Sequence, residues 1–138
     1  MDKLYEKIIE LLETVSEIKY IDLDYGQLQE EKPPLVYPAV LVRISESRED
    51  IDHMYQLVTG NITLTVIDKL MGESNNLTPQ DQRKRGIAYM QLNDKIHKAL
   101  QGYKDKDYEP FTNKGKADQL LRKGAKTVVQ QWETVWRD

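Results

Sequence analysis

A chain of 138 residues, 39% hydrophobic and 31% charged with a net charge of −3, fits one folded domain with an ordinary core. The absence of cysteine excludes disulfide staples, thiol nucleophiles and thiolate metal sites. Charge is unevenly spread: residues 1–80 carry 7 Lys or Arg against 15 Asp or Glu, whereas residues 81–126 carry 12 against 6. The acidic front and the basic later segment can therefore meet within one fold or between neighbouring copies.

In "MDKLYEKIIELLETVSEI", Leu4, Ile8, Leu11, Leu12 and Val15 recur at three- and four-residue spacing, which predicts an amphipathic helix over 2–16. Glu6, Glu10, Glu13 and Glu17 form a partly separate acidic row, the pattern of a solvated helix face. The closely spaced charges make this segment neither a signal peptide nor a membrane span. Ile21, Leu23 and Tyr25 alternate with Asp22 and Asp24 as in a half-buried strand. Pro33 and Pro34 then impose an extended connector, and after Pro38 the run "AVLVRI" is a second strand.

The charge-rich "SESREDIDHMY" reads as a mobile loop over 45–55. Beyond it, "QLVTGNITLTVID" is a long two-faced strand, with Val58, Ile62, Leu64 and Val66 pointing one way and Thr59, Asn61, Thr63 and Thr65 the other. A turn rich in Gly, Ser and Asn leads to "TPQD", where Thr78 is placed to cap a helix, Pro79 suits its first position and Asp81 its first turn. That helix is expected over about 79–101, burying Ala88, Leu92, Ile96, Ala99, Leu100 and Tyr103, with Ile87 and Met90 extending the apolar side and Gly102 stopping it. Residues 104–118 are polar and irregular. "QLLRKGAKTVVQQWETVW" reads as two strands around Lys123 and Gly124, the second placing Val128, Trp132 and Trp136 on one face. The expectation is a single α+β domain over 1–138, a mostly antiparallel sheet of four to five strands packed against two helices.

The residues give no sign of catalysis. His53 stands near Asp50 and Asp52, yet flexible acids beside one imidazole do not make a metal site, and His97 is expected to hydrogen-bond Asp94 on a helix surface. No serine occupies an elbow or triad context, and "TNKGKAD" lacks the paired glycines of a phosphate loop. No catalytic residue, cofactor or metal is expected. The basic residues from Arg83, Lys84 and Arg85 onward, with Tyr103, Tyr108 and Phe111 for stacking, allow a second reading as a DNA- or ligand-binding module over 83–126. Trp132 and Trp136 are core residues if their face is covered and interface anchors if it is open.

The succession of an N-terminal helix, "YPAVLVRI", a charged loop, "QLVTGNITLTVID", a polar turn, "RGIAYMQLNDKIHKALQGY" and "VVQQWETVWRD" resembles the small tail-terminator and tail-completion proteins of tailed phages and prophages. The resemblance spans nearly the whole chain and lies in element order and texture, without a diagnostic motif. It implies a non-catalytic subunit, made in the cytoplasm and ending in the virion tail, that forms a homo-oligomeric, usually hexameric, ring. Such a ring caps the tail tube and joins it to the head connector, with no membrane involved. DNA then passes through the ring without sequence specificity, and Thr59, Asn61, Thr63 and Thr65 are the expected channel or subunit face. Arg83, Lys84, Arg85, Trp132 and Trp136 are the expected partner contacts. Segment 104–126 is more basic and less strand-like than the resemblance leads one to expect, and head-completion proteins of the same joint share this size and texture.

Overall fold

The computed structural model describes residues 1–30, 32–69, 79–120 and 125–138. Its elements are α1 (Asp2–Glu13), β1 (Tyr20–Leu23), a 3-10 turn (Gln27–Gln29), β2 (Ala39–Asp50), β3 (Gln56–Lys69), α2 (Pro79–Leu100), β4 (Thr112–Leu120) and β5 (Ala125–Arg137). They form one five-stranded sheet in the order β1-β2-β3-β5-β4. Every pairing is antiparallel except β1 with β2. This is the α+β architecture that the alternation of periods 2 and 3.6 predicts.

Both helices lie on one face of the sheet. The register places even-numbered residues of β2, β3 and β5 beneath them. Leu4, Ile8 and Leu12 of α1 and Leu92, Ile96 and Leu100 of α2 pack in one core with Val40, Val42, Ile62, Leu64, Val66, Phe111 and Trp132. α1 ends where Thr14 turns its hydroxyl back to donate to the Leu11 carbonyl at 2.6 Å. α2 stops at Gly102, whose φ of 76° a side chain would oppose. A smaller cluster sits on the opposite face, where Leu28, Leu35 and Tyr37 of the 24–38 crossover cover Ala39, Leu41 and Ile67.

Three expectations change. The charged segment after Ile44 is no loop, because β2 runs to Asp50 and only residues 51–55 turn. An antiparallel ladder satisfies its backbone without a core beneath it, and the charges find partners: Arg48 donates to Asp138 at 2.7 Å, and Gln56 to Asp50 at 2.8 Å. Second, β4 begins at Thr112, inside the stretch expected to be irregular. It is an edge strand with Lys114 at a bulge between Asn113 and Gly115, where Gly115 has φ 152°.

The third change concerns α2, whose first half is rotated from the expected phase. Tyr89 turns inward, while Ala88, Ile87 and Met90 are exposed. Tyr89 wins the inward position because its hydroxyl donates to the Val66 carbonyl at 2.7 Å, an anchor no aliphatic side chain offers. The expected Lys123–Gly124 turn, the Thr78 cap and the 70–78 loop lie outside the described residues.

Candidate assembly surfaces

The side of β3 turned away from the helices is the surface the sequence singled out. Thr59, Asn61 and Thr63 are half-buried there, but Thr65, at 8% exposure, is covered. The open part continues across the sheet through register: Thr63 lies between Arg43 and Gln131, Asn61 between Ser45 and Glu133, and Thr59 between Ser47 and Val135. Thr63 donates to Gln131 Oε1 at 2.9 Å, tying β3 to β5 at the surface. Arg43 is paired with Asp24 at 3.4 Å, and Glu133 faces Lys114 at 3.9 Å. The result is a patch of hydroxyls and amides bordered by these two ion pairs, suited to water or to a neighbouring surface rather than to gripping phosphate.

The helix-covered face is different in kind. Trp132 is only 1% exposed, and its indole Nε1 donates to Gln130 Oε1 at 3.0 Å. Gln130 in turn donates to Asn93 Oδ1 at 3.1 Å, and Asn93 donates to the Tyr89 carbonyl at 3.0 Å. This buried chain of amides joins α2 to β5 and places Trp132 in the core. Trp136 shares its face and lies half-buried over Gly60, where a Cβ would come within 2.6 Å of the indole. Arg83, Lys84 and Arg85 sit exposed on the first turns of α2, away from both tryptophans in the fold. The aromatics available for base stacking are engaged elsewhere, since Phe111 is fully buried and Tyr103 and Tyr108 meet it edge-on at 5.7 and 6.4 Å.

Several titratable groups are held in structural hydrogen bonds. At the β2–β3 turn Asp52 Oδ1 accepts from the Met54 and Tyr55 amides at 2.8 and 3.0 Å, and Asp50 Oδ1 accepts from Gln56, so both carboxylates shape the turn beside His53. His97 makes no hydrogen bond to Asp94. Its ring tilts against Trp132 at 5.2 Å, and burial, then the nearby Lys116 charge, hold its pKa below the usual value while Asp94 opposes them. An open cleft of about 1060 Å³ separates the start of α1 from residues 103–109 and the end of β5. Each wall carries both signs, Glu6 and Lys7 on α1 and Lys104 and Asp105 on the facing segment. Burial alone would raise the Asp105 pKa; hydrogen bonds from the Asp107 and Tyr108 amides outweigh it and leave the carboxylate below its ordinary range. Among the described residues no group of three or more His, Asp or Glu side chains is placed to hold a metal, and no helix is long and apolar enough to cross a membrane.

The acidic and basic halves meet within the protomer at Glu17 and Lys95, 2.6 Å apart. Glu6 and Glu13 on α1, and Arg83 and Lys84 on α2, remain at the surface.

No protein-family model matches the chain, and no curated protein matches it in sequence. Among solved structures, the fold is similar to that of a chain in the virion of a native gene transfer agent particle. The TM-score is 0.52 and the identity 11%, and the match spans 97% of this chain and 92% of the other. At that identity the likeness is one of fold.

Proposed function

We propose that this chain is a structural subunit of a phage-like virion, acting as a tail terminator or tail-completion protein. Copies of it form a ring that caps the tail tube and meets the head connector. The observation that carries the proposal is the end-to-end likeness of fold to a chain of a gene transfer agent virion. The two-sided sheet supports it: one side is sealed by both helices, and the other keeps Thr59, Asn61 and Thr63 half-open as a polar wall for a neighbouring subunit or for the water around passing DNA. Assembly takes place in the cytoplasm and the product resides in the virion tail.

Electron microscopy of particles made without the protein tests this reading. The expected result is unjoined heads together with tubes of irregular, often excessive length. Unjoined tubes of uniform length would instead assign the protein to head completion at the same joint. Normal, joined particles would overturn the proposal. The reading as a DNA-binding module draws less support, because Phe111, Tyr103 and Tyr108 are packed together. Retention on DNA at low salt, lost in R83E/K84E, would revive it.

A further inference from the structure

Two exposed apolar patches stand at opposite ends of the molecule. At the turn between β2 and β3, Met54 is 80% exposed and Ile51 48%, with Tyr55 and Leu57 also open. On the outer side of α2, Met90 is 65% exposed and Ile87 54%. Both patches depart from the rule that protruding turns and solvent faces carry polar side chains, and neither is needed by the core.

Their charges are opposite. The turn patch is framed by Glu49, Asp50 and Asp52, with Asp138 beside it. Of the nearby cations, Arg48 is bound to Glu46 and Asp138, and Arg137 stands over the Tyr55 ring at 5.9 Å. The helix patch follows Arg83 and Lys84, and helical spacing puts Arg83 four residues before Ile87 and seven before Met90, on one stripe that is basic at this end and carries Asp94 only past Met90. A third exposed pair, Leu23 and Tyr25, is interleaved with Asp22 and Asp24, which suits an acidic partner poorly.

One copy cannot join its own two patches. Tyr89, between Ile87 and Met90, is bonded to Val66, while the turn begins before Gln56 on the same strand. At about 3.3 Å per residue those two points of β3 are roughly 33 Å apart.

We infer that the β2–β3 turn of one copy docks on the outer face of α2 of the next, with Ile51 and Met54 against Ile87 and Met90 and with Glu49 and Asp50 toward Arg83 and Lys84. The contact is heterologous, so repetition closes a ring or extends a string according to the rotation between copies. It rests on the assembly reading above only for the choice of ring. The aliphatic and thioether side chains supply the buried area, and the charges set direction and partner.

Because the chain has no cysteine, M54C and M90C each introduce a unique thiol. Full-length M54C and M90C proteins are mixed, oxidised and resolved without reductant, with M54C plus V36C as the control for random encounter. The expected result is a several-fold excess of M54C–M90C heterodimer over the control, and a ladder of higher species from the doubly substituted chain. R83E/K84E introduced into the M90C partner lowers the yield about three- to tenfold at low salt, and E49K/D50K in the M54C partner restores it. All positions are exposed, and circular dichroism checks that each variant keeps its fold. A heterodimer yield equal to the control overturns the contact, whether the wild-type protein is monomeric or assembled. Wild-type rings seen by electron microscopy with only control-level cross-linking would remove this contact and leave the terminator reading in place. Excess cross-linking in open strings, with none of the protein at a head–tail joint, would do the reverse.

Discussion

The two faces of the sheet are made from alternate residues of the same strands, yet they obey different constraints. Beneath the helices, Val58, Ile62, Leu64, Val66 and Trp132 are all sealed, and the polar groups admitted among them, Gln130 and Asn93, are bonded to each other and to Trp132. On the opposite face Leu28, Leu35 and Tyr37 of the crossover cover Ile67 at one end, while Thr59, Asn61 and Thr63 stay half-open, Thr63 being bonded to Gln131 on the neighbouring strand. Where helices press on a strand, packing is close and polar groups such as Gln130 and Asn93 are bonded, with the buried His97 Nδ1 an exception. Where nothing presses, the strand needs only solubility and whatever contact it makes beyond itself.

Substitutions should separate the faces cleanly. Trp132→Ala removes the largest sealed side chain and leaves Gln130 Oε1 without its donor; it should cost about 3–5 kcal/mol in denaturant unfolding, and a loss under about 1 kcal/mol would break the contrast. Gly60→Ala forces the Trp136 indole to shift, because the new Cβ falls 2.6 Å from it. A cost of about 1–3 kcal/mol is expected, with a change in tryptophan fluorescence. Gln130→Leu strands the Asn93 amide oxygen and the Trp132 N–H, for about 1–3 kcal/mol, and adding Asn93→Leu should cost less than the sum of the two single changes. On the open face, Asn61→Ala and Thr63→Ala should stay within about 0.5 kcal/mol of the parent in the same unfolding experiment, with their effect confined to assembly.

The smallest effect concerns pH. Burial, then Lys116, depress the His97 pKa in the folded state. The unfolded chain therefore binds the proton more readily, and the stability this imidazole contributes is present above its free pKa near 6.5 and lost as pH falls through its lower folded pKa. His97→Gln should flatten that part of a stability–pH curve followed by thermal unfolding.

The order of elements was legible because each has a clean period: 3.6 in α1, 2 in β3 and β5. Three features were hidden for physical reasons. Tyr89 displaced Ile87 and Met90 from the core side of α2 through a bond to Val66, a long-range partner that polarity alone does not reveal. The second half of β2 looked like a loop because Arg48, Glu49 and Asp50 face solvent on both sides, which a paired ladder permits. β4 looked irregular because an edge strand carries Lys and Gly. As for the candidate surface, alternation placed Thr59, Asn61, Thr63 and Thr65 on one side, but the burial of Thr65 beside three half-open neighbours depends on tertiary packing that alternation does not encode. The exposed stripe on α2 was missed for the same reason as Tyr89, since the two are one rotation.

At the border of the sheet, the bulge that sets Lys114 aside and bends the backbone at Gly115 puts the donors and acceptors of β4 out of step with any straight strand laid against them. Lys114 and Lys116 add a cationic fence on either side of the bend. Edge-to-edge pairing through β4, the route by which exposed strands zip into fibrils, is thereby opposed by the backbone as well as by charge.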